Sequence, residues 1–176
     1  MSAEAPRQSV PATLDAWRQV TARSGYEGRV PLASLRRLAS LLESPDGHAV
    51  FSLDFDRDNF GIAYVEVRVE TELPLVCQRT LERFMLPVHI DQRMGLIRDE
   101  AEESALPPGY EALLVDESGE LETLALVEDE LILAVPVVPV KPGSEAVESE
   151  WGEGELEETG RPNPFAALAA LKNKPE

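Results

Sequence analysis

The run Ala63-Tyr64-Val65-Glu66-Val67-Arg68-Val69-Glu70 decides the fold. Apolar and polar side chains alternate with a period of two, the pattern of a strand with one buried and one solvated face. The alternation reaches Leu73, and two flanking runs share it: Phe51, Leu53 and Phe55 alternate with Ser52, Asp54 and Asp56 upstream, and Phe84, Leu86, Val88 and Ile90 form a third set downstream. Arg57-Asp58-Asn59-Phe60-Gly61 supplies one reversal, and Cys77-Gln78-Arg79-Thr80 falls where the next must lie. Successive half-buried strands joined by short turns predict an antiparallel meander. Asp99 to Ser104 reads as a charged loop, Glu111 to Val115 as a short strand, and Asp116-Glu117-Ser118-Gly119 as a turn.

On either side of the meander the period becomes helical. Thr13 to Arg23 and Pro31 to Leu42 predict two short helices, the second with Pro31 at an N1-like position and Leu32, Leu35, Leu38, Ala39 and Leu42 on one face. Arg36 and Arg37 then face solvent. Leu121 to Val135 predicts the longest helix, stopped by Pro136. Its stripe is Leu121, Leu124, Val127, Leu131, Ile132 and Val135; at about 100° per residue Glu128 falls inside it, and Asp129 and Glu130 outside. Val137 to Val140 is a candidate edge strand. The expected class is α+β, an antiparallel β-meander packed with helices over residues 1–140. Residues 141–160 hold seven Glu and almost no aliphatic side chain, which predicts a flexible acidic linker. Residues 161–176 follow as a docking peptide with a short C-terminal helix: Asn163 is a good N-cap, Pro164 suits N1, and Phe165, Leu168, Ala169 and Leu171 share a face. Lys172 and Lys174 complement the helix dipole. So short a helix needs a partner surface, either its own domain or another molecule.

The formal charge is −17 in 176 residues, unevenly spread: residues 1–44 carry six basic and four acidic groups, residues 99–176 four and twenty. Such a surface lowers non-specific affinity for nucleic acid and attracts basic partners. The N-terminal helices, with Arg18, Arg23, Arg29, Arg36 and Arg37, are the one sizeable basic surface expected. Met1 to Pro11 has no apolar core of signal length, and Leu131 to Val140 is interrupted by Pro136 and Pro139, so a soluble cytoplasmic protein with no membrane partner is expected.

Catalytic and metal motifs fail on inspection. Asp54, Asp56 and Asp58 begin a calcium-loop pattern, but Asn59 stands where glycine is needed and Val65 where a bidentate Glu belongs. His48 and His89 lack a neighbouring nucleophile or base. No enzyme activity and no cofactor is expected. Cys77, the only cysteine, reads as a buried small residue at a strand end. Glu128 has two readings: a carboxylate snorkelling at the edge of the stripe, or a buried acid accepting from Arg79 or Arg83 and pinning the helix to the sheet.

Several segments carry a likeness to a known family. Cys77-Gln78-Arg79, Leu106-Pro107-Pro108-Gly109-Tyr110-Glu111, Val115-Asp116-Glu117-Ser118-Gly119-Glu120-Leu121, Val127-Glu128-Asp129-Glu130-Leu131 through Val137-Val138-Pro139-Val140, and Asn163-Pro164-Phe165 through Lys172 closely resemble, in that order, the YceD family of large ribosomal RNA subunit accumulation proteins. The resemblance implies a role in the synthesis, processing or stability of 23S ribosomal RNA. Many YceD-like proteins have Cys-x-x-Cys at the second hairpin; here Thr80 replaces the second cysteine, and a single thiolate cannot build a structural zinc site. The residues expected to meet a partner are Arg79, Glu128, Asp129, Asn163, Pro164, Phe165, Leu168, Lys172 and Lys174. That partner is ribosomal RNA or a large-subunit precursor, or alternatively a basic ribosomal protein or a ribonuclease.

Overall fold

In the computed structural model, residues 8–144 are described. The elements in chain order are β1 (Gln8–Ser9), β2 (Thr13–Asp15), α1 (Ala16–Ala22), β3 (Gly25–Pro31), α2 (Arg36–Ala39), β4 (His48–Arg57), β5 (Ala63–Val76), β6 (Arg83–Ile97), β7 (Glu111–Leu114), β8 (Glu120–Glu122) and α3 (Thr123–Ala134). The fold is α+β. Six strands form one sheet in the order β1-β3-β4-β5-β6-β7, and β2 pairs with β8 in a second. The predicted meander is its antiparallel centre, β4-β5-β6, joined by β3; β1 and β7 are added parallel at the two edges.

Register places the apolar set on one face. Phe51 lies opposite Val69, Leu53 opposite Val67, and Phe55 opposite Val65; on the next strand Val65 meets Met94, Leu73 meets Leu86, and Leu75 meets Phe84. A one-residue slip would turn this whole set to solvent, so burial itself fixes the register. The opposite face carries a charge lattice centred on Arg68, which bonds Glu66, Asp54 at 3.3 Å and Asp91 at 3.4 Å.

The helices cover the apolar face, and here the boundaries differ from expectation. Thr13–Asp15 is a strand because it pairs with Glu120–Glu122, over a hundred positions away in sequence; Asp15 then caps α1, accepting from the Arg18 N–H at 3.0 Å. The helix expected over Pro31 to Leu42 splits into a 3₁₀ turn at Leu32–Ser34 and the single turn of α2. Leu32, Leu35 and Leu38 are buried as expected, but their spacing of three suits the 3₁₀ repeat better than 3.6 residues per turn. Glu100–Ala105, expected as a loop, is also 3₁₀. The long helix starts at Thr123, with Leu121 belonging to β8. Val137–Val140 is not a strand: Pro136 and Pro139 have no N–H for a ladder, and the segment runs as an irregular strap.

Close packing leaves no room at Gly28. A Cβ there would lie 2.5 Å from the Phe51 ring. Gly28→Ala is expected to destabilise by about 1 to 3 kcal/mol through displacement of that buried ring, measurable as a lower urea midpoint at unchanged m-value.

Candidate functional site

Two polar ties hold α3 to the rest of the fold. The first is a carboxylate clamp. One turn of helix cannot satisfy its own first N–H groups, and Leu35, at the N-cap position of α2, has no side-chain oxygen to do so. Glu128, from the middle of α3, supplies it. Glu128 Oε1 accepts the Arg37 N–H at 2.7 Å and the Leu38 N–H at 3.2 Å, while Oε2 accepts from Arg37 Nε and Nη2, both at 2.9 Å. Asp129 accepts from Arg37 Nη1 at 2.5 Å.

Glu128 is 8 % exposed. Desolvation pushes its carboxyl up, but the N–H of Leu38 and the guanidinium and N–H of Arg37 outweigh it and hold the group below the usual carboxylate range. Glu130, expected outside the stripe, is equally buried. Desolvation and the neighbouring carboxylates of Glu111 and Asp129 push it up. The stripe has turned toward Thr123, Leu126, Val127, Glu130 and Leu131, leaving Leu124 40 % exposed. The reason is at the helix start: Thr123, fully buried, donates its hydroxyl to Pro11 O at 2.8 Å and its N–H to Ala12 O at 3.0 Å.

The second tie lies beyond the helix C-terminus. There the strap meets the tip of the β5–β6 hairpin: the Gln78 N–H donates to Pro139 O at 2.9 Å, and Arg79 Nη1 to Ser144 O at 2.5 Å. Cys77 is buried at its centre, as its sequence position suggested. Its sulfur accepts N–H groups from Lys141 at 3.3 Å and Thr80 at 3.5 Å. The Lys141 N–H foremost, then the Thr80 hydroxyl and N–H, hold the thiol down to about 6. Lys141 Nζ closes the strap on Glu82 at 3.1 Å.

Of the residues expected to form a site, Glu128 and Asp129 are together, and Arg79 is elsewhere on the hairpin tip. Neither Arg79 nor Arg83 reaches Glu128; Arg79 holds the strap, and Arg83 bonds Glu43 at 3.2 Å and Ser44 at 3.0 Å. The donor is Arg37, expected to face solvent. The missed signal was Leu35, which cannot cap the turn that follows it. Asn163, Pro164, Phe165, Leu168, Lys172 and Lys174, with most of the linker, lie outside the described residues. The basic N-terminal surface is partly neutralised, Arg37 by Glu128 and Asp129 and Arg23 by Asp56 at 3.1 Å. Among the described residues no three His, Cys, Asp or Glu side chains gather to hold a metal ion, and no helix is long and apolar enough to cross a membrane.

These features describe a small acidic α+β protein whose long helix is held by a carboxylate clamp and a hairpin strap. Residues 65–172 match the family described as large ribosomal RNA subunit accumulation protein YceD. The chain is also 31 % identical over 169 residues to the large ribosomal RNA subunit accumulation protein YceD of Haemophilus influenzae, covering 94 % of this chain and 97 % of that one. It belongs to the YceD family. No solved structure matches it.

Two outcomes follow from the ties. Glu128→Ala should cost about 1 to 3 kcal/mol, against less than about 1 for Asp129→Ala, whose carboxylate is 54 % exposed. Because the folded carboxyl of Glu128 lies below its unfolded value, the clamp's contribution is complete above about pH 4.3 and is lost as pH falls through the folded value. Denaturant melts at pH 7 and pH 3 should therefore show the wild type and Glu128→Ala converging in acid. Thiolate absorbance at 240 nm should titrate near pH 6 in the native chain and near 8.5 in denaturant; a native midpoint above 8 would remove the strap's N–H donors from Cys77.

Proposed function

We propose that this protein is a non-enzymatic accessory factor of ribosome biogenesis, acting in the cytoplasm to support the synthesis, processing or stability of 23S ribosomal RNA. Membership of the YceD family supports the connection to large-subunit RNA. We further propose that it acts by holding a basic protein needed for that RNA.

The observation carrying this second step is where the arginines go. Arg23, Arg37, Arg68, Arg83 and Arg93 each bond a carboxylate of their own chain. Phosphate affinity is built from Lys and Arg that displace counterions, so cations already neutralised contribute little to it. An acidic exterior at −17 steers basic proteins instead. Direct RNA contact would then rest on a local element such as Lys172 and Lys174 of the tail.

The test is the ratio of 23S to 16S ribosomal RNA in a strain lacking the protein. That ratio should fall and be restored by the wild-type chain; an unchanged ratio would refute the role. A 23S transcript titrated with the purified chain at 150 mM salt should show no saturable binding below about 1 μM, a range tighter than ordinary non-specific contact.

A further inference from the structure

Phe60, at the tip of the β4–β5 turn, is 89 % exposed. The turn that carries this ring is locked. Asp58 Oδ1 accepts the N–H groups of Phe60 at 2.9 Å and Ile62 at 2.8 Å. The Asp58 N–H donates to Ile62 O, and its carbonyl accepts from Gly61, both at 3.0 Å. Gly61 takes φ +86°, open to glycine without strain, and Arg57 Nη1 closes the loop on the Gly61 carbonyl at 2.5 Å. Asp58 Oδ2 then accepts the Tyr110 hydroxyl at 3.0 Å, fastening the turn to the segment before β7. The backbone that carries the ring thus has little entropy left to lose on binding.

Tyr110 joins the turn to a concavity of about 610 Å³ lined by Glu103, Leu106, Pro108, Tyr110 and Glu111. The cations nearby are committed elsewhere. Arg57 holds the turn, and Arg93 bonds Glu66 at 3.1 Å while lying 4.6 Å over the Tyr64 ring and 5.8 Å over that of Tyr110. Glu103 and Glu111 have no cation partner among the described residues. An aromatic anchor beside a mainly polar hollow whose rim carries two uncompensated carboxylates has the composition of an interface that awaits positive charge.

We propose that the Phe60 turn and the adjoining hollow form a docking surface for a basic protein, whose apolar pocket takes the ring and whose Lys or Arg side chains meet Glu103 and Glu111. This deepens, and rests on, the reading that the chain holds a basic protein in large-subunit assembly.

The probes are the proteins stripped from large ribosomal subunits with lithium chloride, purified singly and free of RNA, and a 23S transcript. They are titrated against the full chain and its variants. At least one stripped protein should bind, with affinity falling as salt is raised. Phe60→Ala should raise its Kd roughly tenfold or more, as removal of an interface anchor does. Glu103→Gln with Glu111→Gln should flatten the salt dependence. Val137→Ser, a change at another exposed apolar residue, should leave binding as it was. The idea is overturned if no stripped protein binds, if Phe60→Ala binds like wild type, or if Val137→Ser alone causes the loss. It is equally overturned if Phe60→Ala weakens only the 23S transcript, since the ring would then be stacking on bases. Complementation separates the two levels: a normal 23S ratio without the protein refutes the role in RNA accumulation and leaves the binding result standing. A lowered ratio restored equally by Phe60→Ala refutes the docking surface alone.

Discussion

The Glu128 carboxylate holds together the helical cover of the sheet. It belongs to α3, yet it completes the first turn of α2, about ninety residues earlier in the chain. Burying a carboxylate is costly unless donors replace its water, and here two backbone N–H groups and a guanidinium do so. The benefit is reciprocal. Without Glu128, α2 is one uncapped turn set between a 3₁₀ segment and a loop; without α2, α3 carries a desolvated charge. Arg37 adds geometry as well as charge, because its fork spans Glu128 and Asp129 and fixes the rotation of α3 about its own axis.

The same use of arginine recurs across the molecule. Arg68 ties three strands through Glu66, Asp54 and Asp91, and Arg93 joins Glu66 to the aromatic pair Tyr64 and Tyr110. Arg98 lies 4.1 Å over the Trp17 ring, whose Nε1 donates to Asp116 O at 3.1 Å, connecting α1 to the turn before β8. Each tie consumes a cation in a chain with 16 Lys and Arg against 33 Asp and Glu. Each ion pair removes one charge of either sign, so the net charge stays at −17 while the groups left unpaired are more one-sidedly acidic.

What could be read from the sequence divides along the range of the interactions. The meander was legible because a period of two is local, and each of its strands carries enough apolar positions to show it. Helical phase put Glu128 within the stripe but left open whether its carboxylate snorkels or is buried, and it set Glu130 outside although the two are equally buried; the burial of Cys77 was legible from its place at a strand end. The partner of Glu128 was not, because it depends on α2 being a single turn rather than a long helix. Thr13–Asp15 escaped notice for the same reason, being a strand only through β8. The strap was misread as an edge strand although its prolines argued against a ladder; what replaces the ladder is one carbonyl, Pro139 O, and one sulfur, Cys77 Sγ. The Phe60 turn was recognised as a turn, but its exposed ring became visible only with the surrounding surface.

The placement of α3 shows how apolar and polar forces divide the work. Its buried face includes Thr123, Glu128 and Glu130 beside Leu126, Val127 and Leu131, so apolar area alone does not single out one rotation of the helix. Turning it back toward the expected stripe would bury Leu124 and release Glu130, a favourable exchange on hydrophobicity. It would also withdraw Thr123 from Pro11 and Ala12 and Glu128 from Arg37 and Leu38, and shift the strap from Cys77. Three sets of directional bonds, at the start, middle and far end of one twelve-residue helix, prevail over that exchange. Burial makes α3 adhere to the sheet, and the polar ties fix which way it faces.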